Sequence, residues 1–306
     1  MRAVADLSSS QQGLLLRHQL VFAGSDALLR RLVRDGAITR VLQGVYADTA
    51  ALGDPLLRER AALVLAAPGS ALSHGSAAAL HAPSLDCPSV PEVIVPTGRP
   101  LRVAGVRAHQ AVLSEDDVRV VAGLRVTSPE RSVLDLCRSP GRRVAQIASL
   151  DAVLHATGVE PAVVERRLRR MAGQRGVTRG RLLLADAEPG AASPGETRLR
   201  LVVVDAGLPR PRAQVPSHDD AGGWLATHDL GWDEILLFLE YEGDVHLRGT
   251  SPSRDRRRFN LLELRAGSRV VLRYGAAEVA RPRLVVGDVT EVMRVRCPAM
   301  LQGLIA

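Results

Sequence analysis

Lysine is absent from this 306-residue chain, so all 40 of its basic residues are arginine. That bias fits a GC-rich coding sequence and by itself assigns no chemistry. Aromatic residues make up only 3%. The core must therefore be built from Leu, Val and Ala, and the sequence gives no argument for a stacking platform that grips single-stranded nucleic acid. Cysteine occurs three times, at Cys87, Cys137 and Cys297, scattered and without a CxxC spacing. This excludes a disulfide framework and a cysteine zinc site, and it points to a reducing compartment. No run approaches the roughly 18 apolar residues that a membrane span needs. The opening MRAVADLSSSQQG also lacks the apolar core of a leader. A cytoplasmic protein without a membrane partner is expected.

With 46% hydrophobic and 24% charged residues, the chain should fold as an ordinary globular protein. Its length suggests two or three domains. The net charge of +7 and pI of about 10.4 fit an anionic partner such as nucleic acid, bound in a salt-sensitive way.

Residues 1–50 read as short helices followed by a hairpin. The first segment ends at Gln12, LLLRHQLVFAG forms a second helix, and SDALLRRLVRDG forms a third, with Ser25 as N-cap and Gly36 as stop. In the third helix Leu28, Leu29 and Leu32 share a face, leaving Arg30, Arg31 and Arg34 to solvent or phosphate. The alternating AITRVLQGVYAD, which contains Arg40, makes a small wing. Together these predict a winged helix-turn-helix that offers its third helix to the major groove; the bland reading is a helical subdomain with solvated arginines. Residues 51–160 read as a middle α/β domain, with strands PEVIVPT and GVRAHQAV and a capped helix SPERSVLDLCR. His74 and His81, seven apart, could share a helical face, but no third metal ligand accompanies them. Residues 161–189 form a basic linker helix: ERRLRRMAGQRGVTRGR carries seven arginines and one acid. DAEPGAASPG then marks a boundary.

Residues 190–306 hold the chemistry. Ser193 and Glu196 are spaced as a capping box. WLATHDLGW and ILLFLEYEG read as neighbouring strands joined by a tight turn, so Glu240 and Glu242 project from one face and Asp229 lies on the adjacent strand. Buried carboxylates need a cation. Arginine could supply it, for example from RDRRRFN with Arg254, Arg256, Arg257 and Arg258. Mg²⁺ is the other option, since it takes hard oxygen ligands and would position water on a phosphodiester. Helix, three strands, basic helix, strand and helix make an α/β sandwich. A multidomain α+β protein follows.

SPGETRLR, HDLGW, FLEYEGDVH, RDRRR and RVVLRYG, in this order over about residues 190–285, resemble the uncharacterised domains related to the very-short-patch-repair (Vsr) endonucleases, of the restriction-endonuclease-like PD-(D/E)XK superfamily. The resemblance implies a metal cage of Glu196, Asp229 and Glu240 for Mg²⁺ or Mn²⁺. The superfamily's usual lysine is replaced by Glu242, which leaves His246 to activate water. The N-terminal half, through RRLVRDGAITRVLQGVYA, ALSHGSAAALH and VTSPERSVLDL, is similar to AbiEi-type antitoxins. That likeness implies promoter binding and a toxin or defence-system partner, and it implies no catalysis. Two expectations follow. The first is a DNA-binding, Mg²⁺-dependent endonuclease acting in phage defence or DNA repair, with Asp229, Glu240, Glu242 and His246 as catalytic residues and Arg30, Arg31, Arg34, Arg40, Arg254, Arg256, Arg257 and Arg258 on DNA. The second is an antitoxin-like regulator, dimeric as many such readers are, whose nuclease-like domain is inactive.

Overall fold

The computed structural model describes residues 13–218, 222–243, 256–257, 260 and 269–301. The chain divides into two compact units, 1–136 and 137–306.

In the first unit, β1 (Leu14–Leu16), α1 (Arg17–Ala23), α2 (Asp26–Arg34), β2 (Ile38–Leu42) and β3 (Val45–Asp48) form a helix pair and a three-stranded sheet in the order β1-β3-β2. The segment LLLRHQLVFAG, expected to be one helix, is split: its three leucines pair antiparallel with β3, Leu14 opposite Ala47 and Leu16 opposite Val45. Period-two alternation explains the change. Leu15 enters a small core with Leu20, Leu29, Leu32 and Ile38, whereas Leu14 enters a second core with Leu42, Val45, Leu57 and Val93. Successive side chains of a strand point to opposite faces, which sends these two neighbours into two cores. The segment ending at Gln12 lies outside the described residues. The ends of α2 are as read: the Ser25 hydroxyl accepts from the Leu28 N–H at 3.2 Å, and Gly36 takes φ +70°, a left-handed turn that suits glycine.

The same unit holds α3 (Leu57–Leu65), α4 (His74–His81) and a five-stranded mixed sheet. Its strands are β4 (Ala71–Leu72), β5 (Glu92–Val95), β6 (Arg107–Gln110), β7 (Val118–Val121) and β8 (Leu124–Thr127), in the order β6-β5-β4-β8-β7. Helix α5 (Pro129–Arg138) carries the chain across the division. Near its start Arg131 is buried, bonded to Asp135 and Asp117 at 3.0 Å each.

The second unit opens with α6 (Arg143–Thr157), α7 (Pro161–Arg170) and α8 (Val177–Asp186), followed by α9 (Pro194–Asp205). The basic segment is folded into this unit: Val164 and Leu168 are buried, and Gly180 of α8 packs so closely that a Cβ there would meet the Cys137 carbonyl oxygen at 2.9 Å. Four strands follow as β12-β11-β10-β9, where β9 is Arg212–His218, β10 Trp224–Trp232, β11 Leu237–Tyr241 and β12 Val270–Tyr274. The first three strands in sequence are antiparallel, and β12 joins β11 in parallel. With α9 and α10 (Pro282–Arg296) the sheet builds one core of Leu199, Val203, Leu230, Leu237, Leu239, Leu272, Val285 and Val289. Between α6 and α9 lies a fully buried ion pair, Arg200 to Asp151 at 2.8 Å. Asp151 also accepts from Thr197 Oγ1 and the Glu188 N–H, and Arg200 donates to the Asp186 carbonyl. Each such partner offsets the desolvation of a charge taken from water.

Candidate nucleic-acid interface and carboxylate cluster

Helix α2 is two-faced. Leu29 and Leu32 are buried, while Arg30, Arg31 and Arg34 are exposed. Arg31 is engaged by Asp35 at 3.4 Å, a solvent-exposed i,i+4 pair. Arg30 and Arg34, one turn apart, have no ion-pair partner among the described residues, and neither does Arg40 on β2. Three guanidinium groups on one helix and its adjoining strand are thus available to an anion.

His74 and His81 are satisfied separately rather than joined at a metal site. His74 begins α4 in a left-handed backbone conformation, φ +50°, and stacks on His109 with ring centroids 3.7 Å apart. Burial, reinforced by the His109 charge, pulls its pKa down to about 3. His81 Nε2 instead donates to the Thr127 carbonyl at 2.7 Å.

The second unit places its carboxylates on three elements. Asp229 is on β10 and Glu240 on β11, the register setting them near one another; Glu242 follows β11, and Glu196 sits in the first turn of α9. Burial raises the Asp229 pKa to about 6, the Tyr241 N–H counters, and the Glu196 and Glu240 charges raise it further. Asp229 and Glu240 thus lie on paired strands, with Glu196 on the neighbouring helix α9. Yet each already has donors. Glu240 Oε1 meets His228 Nδ1 and Oε2 meets Arg273 Nε, both at 2.9 Å. His228, first, and then Arg273 hold the Glu240 carboxyl below its usual range, although burial opposes them. Because an ionised carboxylate only accepts, His228 carries its proton on Nδ1, and its Nε2 lies 3.0 Å from the Ser217 hydroxyl. Asp229 accepts from the Tyr241 N–H at 2.7 Å. Glu196 accepts from the Ala192 N–H at 2.9 Å and from Gln214 at 3.3 Å, while Ser193 caps the Glu196 N–H. Glu242 lies 3.4 Å from Arg273 and 3.7 Å from Arg256.

A divalent cage does not fit this arrangement. Among the described residues no three His, Cys, Asp or Glu side chains are grouped to hold an ion. Mg²⁺ needs ligand oxygens at about 2.0–2.1 Å in near-octahedral array, but protein donors occupy both Glu240 oxygens.

Arg256 and Arg257, expected to face DNA, point elsewhere. Arg256 is 4% exposed and bonds the equally buried Glu278 at 3.2 Å. Arg257 grips Asp288 through both carboxylate oxygens at 2.7 Å. A buried acid requires a cation, and these two arginines supply it. Arg254, Arg258 and His246 lie outside the described residues. Sequence reading overlooked His228, Gln214 and Arg273. The signal for Arg273 was available: it is the single charge in the strand VVLRY.

Comparison with known proteins adds the class. Residues 70–186 match the AbiEi antitoxin C-terminal domain family, from β4 in the first unit to the end of α8 in the second. Over 233 residues the chain is 32% identical to uncharacterized protein MT2308 of Mycobacterium tuberculosis strain CDC 1551 / Oshkosh, and equally to uncharacterized protein Rv2248 of strain H37Rv. The alignments span 76% of this chain and 83% of each relative. The chain belongs to the family of these mycobacterial proteins, and its residues 70–186 are similar to the AbiEi antitoxin C-terminal domain. Among solved structures, that of the RV2827C protein from Mycobacterium tuberculosis aligns with a TM-score of 0.40 at 21% identity, over 61% of this chain and 80% of that one. No helix among the described residues is long and apolar enough to cross a membrane.

Proposed function

We propose that this protein is a DNA-binding regulator of antitoxin type, working with a toxin or defence-system partner, and that residues 1–50 are its winged helix-turn-helix. The observation that carries the reading is the exposed face of α2, with Arg30 and Arg34 unpaired among the described residues beside the wing residue Arg40. The order strand, helix, helix, strand, strand supports it, because a short turn and a two-stranded wing leave α2 free to enter a major groove. The AbiEi-type domain supports the setting. A homodimer reading two half-sites belongs to the same proposal.

The test is fluorescence anisotropy with duplex DNA from the region upstream of the protein's own coding sequence, at two salt concentrations. Binding should weaken steeply with salt, and the steepness should fall in Arg30→Ala/Arg34→Ala. Equal affinity and equal salt slope in wild type and double variant would sink the proposal.

A second reading has one observation in its favour. The placing of Asp229 and Glu240 on paired strands, with Glu196 on the adjoining helix α9, suits a restriction-endonuclease-like, Vsr-related domain at residues 190–306. Plasmid cleavage with Mg²⁺ or Mn²⁺ that is lost in Asp229→Ala would establish a nuclease. We favour the inactive form of that domain because the Glu240 carboxylate is already bound by His228 and Arg273.

A further inference from the structure

Arg273 owes its position to the sheet. The parallel register of β11 and β12 sets it directly beside Glu240. Its backbone is clamped there: its N–H donates to Asn260 Oδ1 at 2.8 Å, and its carbonyl accepts from Asn260 Nδ2 at 2.9 Å. Asn260 is itself buried. The side chain then reaches two carboxylates with one nitrogen, Nε standing 2.9 Å from Glu240 and 3.4 Å from Glu242. Two neutral or positive flanks support it, His228 on the other Glu240 oxygen and Arg256 on the far side of Glu242. An arginine in a strand otherwise made of Val, Leu and Tyr has no packing reason to be there.

We infer that Arg273 is the built-in cation of this carboxylate cluster, filling the role that the nuclease resemblance gives to a divalent metal. The cluster is therefore indifferent to metal as long as the guanidinium is present. Without it, Glu240 and Glu242 lose their shared positive charge, with the Asp229 carboxyl still on the paired strand β10. Freed of the guanidinium, Glu240 Oε2 and the Glu242 carboxylate become open hard-oxygen donors, and such donors attract a divalent cation. The inference does not depend on DNA binding, so its test stands apart from that of the regulator.

The experiment compares the full chain with Arg273→Met and Arg273→Lys, measuring thermal midpoint and bound Mn²⁺ by electron paramagnetic resonance, with and without millimolar Mn²⁺ or Mg²⁺. Wild type and Arg273→Lys should hold no stoichiometric Mn²⁺ and melt at the same temperature in either condition. Arg273→Met should melt lower without metal and recover most of the loss as it takes up one Mn²⁺. Stoichiometric Mn²⁺ on the wild type that disappears in Glu240→Gln would overturn the inference, as would an Arg273→Met protein that folds and ignores metal. Should Arg273→Met fail to fold, the Arg273 Nε–H resonance of the wild type decides the matter. It should be sharp, shifted in Glu240→Gln and unaffected by Mn²⁺; broadening by substoichiometric Mn²⁺ would refute the claim.

Discussion

Two sets of arginines in this chain have opposite surroundings. On α2 and β2, Arg30, Arg34 and Arg40 lie open to solvent and without partners among the described residues. In the second unit Arg200, Arg256 and Arg273 are each held by carboxylates, the first fully buried and the second nearly so. The same guanidinium is thus an exposed surface charge in one place and an internal counter-ion in the other. In a chain without lysine, counting positive charge therefore says little about DNA binding; the surroundings of each charge decide.

The contrast is broken most severely at Arg200. Its removal leaves Asp151 buried with no compensating cation, so Arg200→Met should cost about 3–5 kcal/mol of stability in denaturant unfolding. Pairing it with Asp151→Leu should return much of that loss. By contrast Arg30→Ala/Arg34→Ala should leave stability unchanged while lowering DNA affinity by roughly one to two orders of magnitude and the salt slope by about two. Both variants remove arginine, yet only the first should register in a melting curve.

The cluster itself offers a subtler test. The folded pKa of Asp229 is raised to about 6, against about 3.9 for an unfolded aspartate. Between those values the native state binds more protons than the unfolded one, so this group's contribution falls as pH rises from about 4 to about 6. Asp229→Asn should therefore stabilise the protein at neutral pH by on the order of 1–2 kcal/mol, with the gain vanishing below about pH 4. A loss of stability at pH 7 would show that the Asp229 charge is needed. Smallest of all, Asp35→Ala should change stability by no more than about 0.5 kcal/mol, since the Arg31 pair is solvated.

Much of the fold was legible where local chemistry dictates it. Ser25, Gly36 and the leucine stripe of α2, the turn between β10 and β11, and the Ser193 cap all announce themselves through residue type and spacing. The split of LLLRHQLVFAG was hidden, because its leucines serve two cores that only tertiary structure defines. In the carboxylate cluster the acids were legible and their partners were not. Asp229, Glu240 and Glu242 follow from period two, but Arg273 reaches Glu240 through a parallel pairing 33 residues away. Arginine proximity in sequence pointed to RDRRRFN, whose Arg256 does stand 3.7 Å from Glu242 while also bonding Glu278, and whose Arg257 serves Asp288. Sequence distance was only a partial guide to which cation neutralises which acid.

The central claim is the proposal that Arg30 and Arg34 of α2, unpaired among the described residues, carry DNA binding without a metal ion. Its most direct test is a single anisotropy titration of duplex upstream DNA against wild type and Arg30→Ala/Arg34→Ala, with EDTA present throughout. The account predicts wild-type binding undiminished by EDTA and a loss of tenfold or more in the variant. Binding that needs added Mg²⁺, or a variant that binds as tightly as wild type, would contradict it.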